Sequence, residues 1–217
     1  VIITTIKPQE RSPLRENVYL DGKFGFGIAS ELRFDTKLKV GQSVSEEQIK
    51  ELVFRDQVLK LLSSVQKFLA IRPRSEKEIK NNLKHKMDRG EFVNQEKIIS
   101  AVLKKLSKYG LVNDLEFAKW WISQRQSGKP RGERMLRSEL YSKGVSREII
   151  DELFYKYETP PGEIDKIAVK KLSKYQNLPD QEFRAKISAY LARRGYDWDE
   201  ISETVSRLLK ERSSIQD

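Results

Sequence analysis

Cysteine is absent from this sequence, which excludes a disulfide framework, thiolate nucleophiles and every zinc site that relies on cysteine. Histidine occurs once, as His85, so a histidine-based triad and an ordinary imidazole-rich metal site are excluded as well. No metal and no cofactor are expected. No apolar run approaches the roughly 20 residues of a membrane-spanning helix. The opening Val1-Ile2-Ile3-Thr4-Thr5-Ile6 has neither the charged head nor the cleavage site of a secretory signal, and a cytoplasmic protein with no membrane partner is expected. Hydrophobic residues make up 38% of the chain and charged residues 34%, enough apolar content for a core beneath wide solvated faces. Lys and Arg total 42 against 32 Asp and Glu, a net charge of +10. Such a surplus draws polyanions or acidic protein surfaces at long range.

Residues 1–45 read as a β extension. Val18-Tyr19-Leu20 leads into Asp21-Gly22, after which Phe24, Phe26 and Ile28 alternate with Gly25 and Gly27; Asp-Gly suits the positive φ angles of a tight hairpin turn. Two or three antiparallel strands are expected. Ser45-Glu46-Glu47-Gln48 then has capping-box spacing, and helix dominates from there. Val58, Leu61, Leu62, Val65 and Leu69, then Ile79 and Leu83 behind a second capping box at Ser75-Glu76-Lys77-Glu78, then Ile98, Ile99, Val102, Leu103 and Leu106, form three apolar stripes at helical spacing. The pattern restarts at Asn113 with Phe117, Ala118, Trp121, Ile122, Met135, Leu136, Leu140, Ile149, Ile150, Leu153 and Phe154. It restarts again with Ile164, Ile167, Ala168, Leu172, Phe183, Ile187, Leu191, Ile201, Val205 and Leu208. Leu140-x-x-x-Gly144 recurs as Leu191-x-x-x-Gly195, and Ile98, Ile149 and Ile201 recur at a period of about 51 residues.

One short amphipathic helix cannot bury its own stripe, so three folding together make the smallest self-sufficient unit. The expected fold is mainly α: three tandem three-helix units in an elongated array behind a small N-terminal β-hairpin or sheet. The boundaries read as 1–45 for the extension, 46–111 for the first unit with its lead-in helix, 112–158 for the second and 159–217 for the third, with Pro160-Pro161-Gly162 as the place for a hinge.

No catalytic group is legible. Gly22-x-x-Gly25-x-Gly27 lacks the Gly-Lys-Ser/Thr ending of a phosphate loop and alternates with Phe, as strands do, and His85 reads as a surface residue. No element brings together nucleophile, base and oxyanion donor. The chemistry that is present is basic. Arg72-Pro73-Arg74 leads into Lys77, Lys80, Lys84, Lys86 and Arg89. A glycine-rich corner carries Arg125, Lys129, Arg131 and Arg134 into a helix continued by Arg137 and Lys143. Guanidinium forks and an exposed helix start suit phosphates or carboxylates; solvated helix faces are the alternative. Trp120 and Trp121 are adjacent on one helix, so both cannot occupy the same stripe. Trp121 keeps register with Phe117 and Ala118 and is assigned to the core, leaving Trp120 partly exposed as a contact residue.

Asn113-Asp114-Leu115-Glu116-Phe117-Ala118, then Arg125-x-x-Gly128, Gly132 and Glu139-Leu140-x-x-Lys143-Gly144-Val145, resembles the central signature of the RecX family of bacterial regulators. Arg74-Ser75-Glu76-Lys77-Glu78-Ile79-x-x-x-Leu83 is similar to that family's first-repeat signature, and Tyr19-Leu20-Asp21-Gly22 to its N-terminal extension. The resemblance implies three tandem three-helix units. It also implies a monomer that binds the RecA filament on single-stranded DNA and restrains recombinase, ATPase and co-protease activity in DNA repair and the SOS response. A direct DNA-binding protein is the competing reading, because three-helix units with basic second and third helices also resemble helix-turn-helix modules; a weak direct DNA contact is also compatible with the filament-binding role.

Overall fold

The computed structural model describes residues 1–217 except Arg89, Glu91, Val93, Lys156, Pro161, Asp217 and the side chains of residues 213–216. The basic assignment of Arg89 and the hinge residue Pro161 therefore lie outside the described residues. In chain order the elements are β1 (Ile3–Gln9), β2 (Ser12–Leu20), β3 (Lys23–Ala29), α1 (Ser30–Asp35), α2 (Glu46–Leu69), α3 (Glu76–Met87), α4 (Gln95–Lys108), α5 (Asp114–Gly128), α6 (Glu133–Ser142), α7 (Arg147–Phe154), α8 (Glu163–Tyr175), α9 (Asp180–Ala192) and α10 (Trp198–Gln216). The fold is the expected one: mainly helical, with three-helix groups behind an antiparallel sheet of order β1-β2-β3. Among the described residues no helix is long and apolar enough to cross a membrane. Two compact units divide the chain: Val1–Arg72 with Ile79–Val112, and Pro73–Glu78 with Asn113–Asp217.

The first unit has two cores joined by one helix. Asp21 and Gly22 take φ of 48° and 82°, the turn that Asp-Gly favours. One face of the sheet buries Ile3, Val18, Phe26 and Ile28 against Leu32, Leu38, Val44 and Leu52. Phe24 does not join them and is 61% exposed. Pairing slips between Val18↔Phe26 and Tyr19↔Phe24, and the extra residue, Gly25, turns Phe24 to the other face, where its ring meets the edge of Tyr19 at 6.1 Å. A Cβ on Gly25 would sit 2.7 Å from the Leu20 side chain, so the bulge needs glycine. Lead-in and first helix are one continuous helix of 24 residues, α2, opened by the expected capping box of Ser45 and Gln48. Its first half completes the sheet core through Leu52. Its second half, Val58 to Val65, packs with Ile79, Leu83 and Met87 of α3 and Ile98, Ile99, Val102 and Leu106 of α4. The short α1, which has no side-chain cap, carries no sequence signature of its own.

Asp56 fastens the sheet to α2. It is 5% exposed, accepts both Arg15 guanidinium nitrogens at 3.2 and 2.7 Å, and accepts the Ala29 N–H at 2.8 Å.

The second unit contains two three-helix cores. Phe117, Ala118, Leu136, Leu140, Val145, Ile150 and Phe154 close α5, α6 and α7; Ile164, Ile167, Phe183, Ile187, Leu191, Tyr196, Ile201, Val205 and Leu208 close α8, α9 and α10. Asn113 caps α5 by accepting the Leu115 and Glu116 N–H groups, and Ser146 caps α7 through Ile149.

Candidate functional site

Three constructions in the second unit use the polar residues that the sequence marks out. The first is a junction made twice. The four N–H groups that open a helix and the four carbonyls that end one have no partner inside it, and here the carbonyls ending one helix take donors from the start of another, backbone amides and a guanidinium at one junction and side chains alone at the other. At the start of α6 the Gly132 N–H donates to Arg194 O at 3.0 Å and the Arg134 N–H to Gly195 O at 3.2 Å. The Arg134 guanidinium donates to Ala192 O at 2.8 Å, and Arg194 returns a bond to Pro130 O at 3.1 Å. The start of α6 thus sits on the end of α9. The end of α6 receives the residues that open α3: the Ser75 hydroxyl donates to Lys143 O at 2.7 Å and Lys77 Nζ to Ser142 O at 3.1 Å. Ser75 also accepts the Glu78 N–H at 3.2 Å, while the Glu78 carboxylate accepts Lys143 Nζ at 2.9 Å. Ser75 therefore caps α3 as its spacing predicts, and Glu78 also clamps the end of α6. In both places a helix start, positive by its dipole, faces a helix end, negative by its dipole.

Glycine makes this approach feasible. A Cβ on Gly132 would fall 2.3 Å from Gly195 O and 2.4 Å from Tyr196 N. Gly195 takes φ of +86° and a Cβ there would fall 2.5 Å from the backbone nitrogen of Met135; Gly144 takes φ of +84° with Lys77 Cβ at 2.5 Å. The two lead-ins share a composition that lies outside the recurring apolar stripes: Arg72-Pro73-Arg74-Ser75 and Lys129-Pro130-Arg131-Gly132.

Glu139 organises the second construction. Its side chain is 16% exposed and binds Arg125 at 2.7 Å and Arg131 at 3.1 Å, and its Oε2 accepts the Trp121 indole N–H at 2.8 Å. Arg125 lies over the Trp121 ring at 4.4 Å and Lys143 over it at 5.0 Å. Trp121, assigned to the core from its spacing, is only half-buried: two cations lie over its ring and its N–H is on a carboxylate. Trp120 is half-buried too, with its ring 6.0 Å from Phe117 and 6.2 Å from Trp121. Replacing Glu139 by Gln keeps an acceptor and removes the charge shared by two arginines. A loss of about 2 kcal/mol is expected in urea unfolding; an unchanged midpoint would remove Glu139 from this role.

The remaining basic residues divide. Arg137 is engaged by Glu133 and Asp151, both at 2.6 Å, and lies over Phe154 at 4.8 Å. Arg72 and Arg74 are half-buried, Lys80 and Lys129 are exposed, and Lys84 pairs with Glu96 at 3.2 Å with both side chains more than half exposed. His85 is exposed.

The third construction is a cleft of about 710 Å³ between the α5–α7 and α8–α10 groups, lined among others by Arg134, Tyr157, Glu158, Asp197, Trp198 and Glu200. Trp198 is 66% exposed, and nothing in its spacing singled it out. Beneath it the buried Tyr196 hydroxyl donates to Glu163 at 2.8 Å, and burial pushes the Glu163 carboxyl above its usual range. Burial first, then the charges of Glu163 and Glu200, push the Tyr157 phenol up to about 12.

Comparison with known proteins finds three family profiles: the regulatory protein RecX N-terminal domain over residues 1–45, the RecX second three-helix domain over 113–153 and the RecX third three-helix domain over 164–205. A regulatory protein RecX from Clostridium acetobutylicum is 32% identical over 215 residues, covering 96% of this chain and 97% of that one. One from Bacillus subtilis is 29% identical over 208 residues, covering 95% of this chain and 76% of that one. A crystal structure of regulatory protein RecX superposes with a TM-score of 0.73 at 26% identity, covering 95% of this chain and 98% of that one.

Proposed function

The chain belongs to the RecX family of regulatory proteins, and from that membership we propose that it binds RecA filaments on single-stranded DNA and inhibits their recombinase, ATPase and co-protease activities. It acts as a non-catalytic, monomeric regulator in recombinational repair and the SOS response, with the segments 1–45, 46–111, 112–158 and 159–217 as its modules. The observation that carries the reading is a helix start set on the end of another helix twice over, Ser75 and Lys77 on the end of α6 through their side chains, Gly132 and Arg134 on the end of α9 through backbone amides and a guanidinium. A helix-end junction that recurs within the second unit suits a partner that itself repeats, and linked weak contacts gain affinity through high effective concentration.

The residues offered to the filament are Lys80, Lys84 and Lys129. All three are exposed, and the solvated Lys84–Glu96 pair holds its lysine by no more than about 1 kcal/mol. Arg131, Arg134 and Arg137 are engaged inside the unit, so removing them tests stability together with binding. In an ATP-hydrolysis assay of RecA on single-stranded DNA, the protein is expected to lower turnover at sub-stoichiometric amounts. The triple variant Lys80→Glu, Lys84→Glu, Lys129→Glu is expected to need about tenfold more protein for the same effect, with unchanged helical content. Full RecA turnover in the presence of equimolar protein would sink the reading.

Direct duplex binding is the competing reading, and the third helices of the second and third three-helix groups weigh against it. In a helix-turn-helix unit that element enters the major groove. The expectation of basic third helices holds for α4, with Lys97, Lys104, Lys105 and Lys108 against Glu96, but not for α7, which carries Arg147 against Glu148, Asp151 and Glu152, nor for α10, which carries Arg207, Lys210 and Arg212 against Asp199, Glu200, Glu203 and Glu211. Tight binding to naked duplex with a steep salt dependence, and indifference to RecA filaments, would restore it.

A further inference from the structure

The cleft under Trp198 has the opposite character to the protein around it. In a chain of net charge +10 it gathers Asp197, Glu200 and Glu158 beside an exposed indole ring. Asp197 accepts the Asp199 N–H at 3.0 Å and Glu200 the Asp197 N–H at 2.9 Å, so backbone amides orient both carboxylates without neutralising them. Among the described residues neither takes part in an ion pair, whereas Glu133, a further acid of the cleft, is paired with Arg137. Two cations also line the cleft: Arg134, whose guanidinium is tied to Ala192 O, and Arg137, which is held by Glu133 and Asp151. An exposed tryptophan offers a π face on which a cation gains most, and large exposed aromatics in clefts are the side chains that dominate protein contacts. The volume, about 710 Å³, falls within the range of sites that enclose a ligand.

We propose that this cleft is a docking site for an arginine or lysine side chain presented by a partner protein, which lies on the Trp198 ring with its charge between Asp197 and Glu200. The occupant follows from charge complementarity: nucleic acid is repelled by the same carboxylates that attract a cationic side chain. The site is separate from Lys80, Lys84 and Lys129, and the inference does not depend on which protein the partner is.

The full chain contains three tryptophans, so its indole N–H signals in a nitrogen–proton correlation spectrum are few and assignable with Trp198→Phe. Titration with a blocked tri-arginine peptide is expected to move the Trp198 signal saturably while Trp120 and Trp121 stay in place. Trp198→Leu, followed by calorimetry with the same peptide, is expected to weaken binding about tenfold. Trp198→Phe, which keeps an aromatic face, is expected to retain most of it. Asp197→Asn, which keeps the acceptor for the Asp199 N–H, is expected to weaken binding while leaving the thermal midpoint unchanged. A Trp198 signal that ignores the tri-arginine peptide overturns the proposal, as does one that moves equally with tri-glutamate or with a thymidine oligonucleotide; the last outcome would make the cleft a base-stacking site.

Discussion

Gly132→Ala is expected to lower the thermal midpoint of the second unit by about 10 °C. The added methyl has no flexible neighbour to displace: it meets the Gly195 carbonyl at 2.3 Å and the Tyr196 nitrogen at 2.4 Å, so the start of α6 must lift from the end of α9. Overpacking of this kind costs about 1–3 kcal/mol. Parting the two ends also weakens the bonds from Gly132 to Arg194 and from Arg134 to Gly195, each about 1 kcal/mol. A total near 3–4 kcal/mol corresponds to about 10 °C for a chain of this size. Gly195→Ala is expected to be at least as damaging, because its φ of +86° adds about 1–2 kcal/mol of left-handed strain to the contact with Met135. The two substitutions relieve one another's contact, so the double variant should lose less than their sum. Gly128→Ala is the control: it lies at the end of α5 with nothing within 4 Å of the added carbon, and alanine there should be neutral or slightly stabilising. Differential scanning calorimetry decides the matter, and equal midpoints for the Gly128 and Gly132 variants would show that the junction adapts.

Asp56→Ala is expected to remove about 3–5 kcal/mol from the first unit. Deleting one partner of a buried ion pair strands the other, and here the loss is threefold, since Asp56 holds both nitrogens of Arg15 and the Ala29 N–H where β3 passes into α1. Arg15 keeps 27% of its side chain exposed, so water softens its share and the lower half of the range is expected. Asp56→Asn still accepts the Ala29 N–H and should lose roughly half as much. Chemical unfolding followed by circular dichroism reads the effect. A variant with α2 intact and an unshifted midpoint would mean that the sheet stays on α2 by its apolar face alone.

These two sites differ in how far the sequence announces them. Gly195 belongs to the Leu-x-x-x-Gly recurrence, and its left-handed φ is what a glycine after a helix predicts. Asp56 stands between Arg55 and Gln57 and has the look of a solvated position; only the sheet laid over α2 buries it. The same contrast runs through the basic residues. Lys77, Arg134 and Lys143 read as anion contacts because charge density is visible in one dimension, yet their partners are carbonyls and a carboxylate that arrive from residues 58–65 positions away. Trp121 shows a limit of periodicity: helical spacing turned it toward the core, and Glu139, Arg125 and Lys143 keep it at the boundary. Trp198 left no signal, since an indole at a helix start reads the same whether it is covered or open.

What the sequence determined by itself is everything governed by neighbours within a few residues. The Asp21-Gly22 turn, the Ser45 cap, the helical stripes and their recurrence follow from backbone sterics, hydrogen bonds across three or four positions, and the need of each stripe for a cover. Only the tertiary structure decided which polar side chains face inward: that α6 begins on the end of α9, that Glu139 collects two arginines and an indole, that Asp197 and Glu200 line the cleft beneath Trp198. The physical reason is that a charge carries no periodicity of its own. Its partner is chosen by burial and by the direction of helix ends, and both exist only once the units have packed.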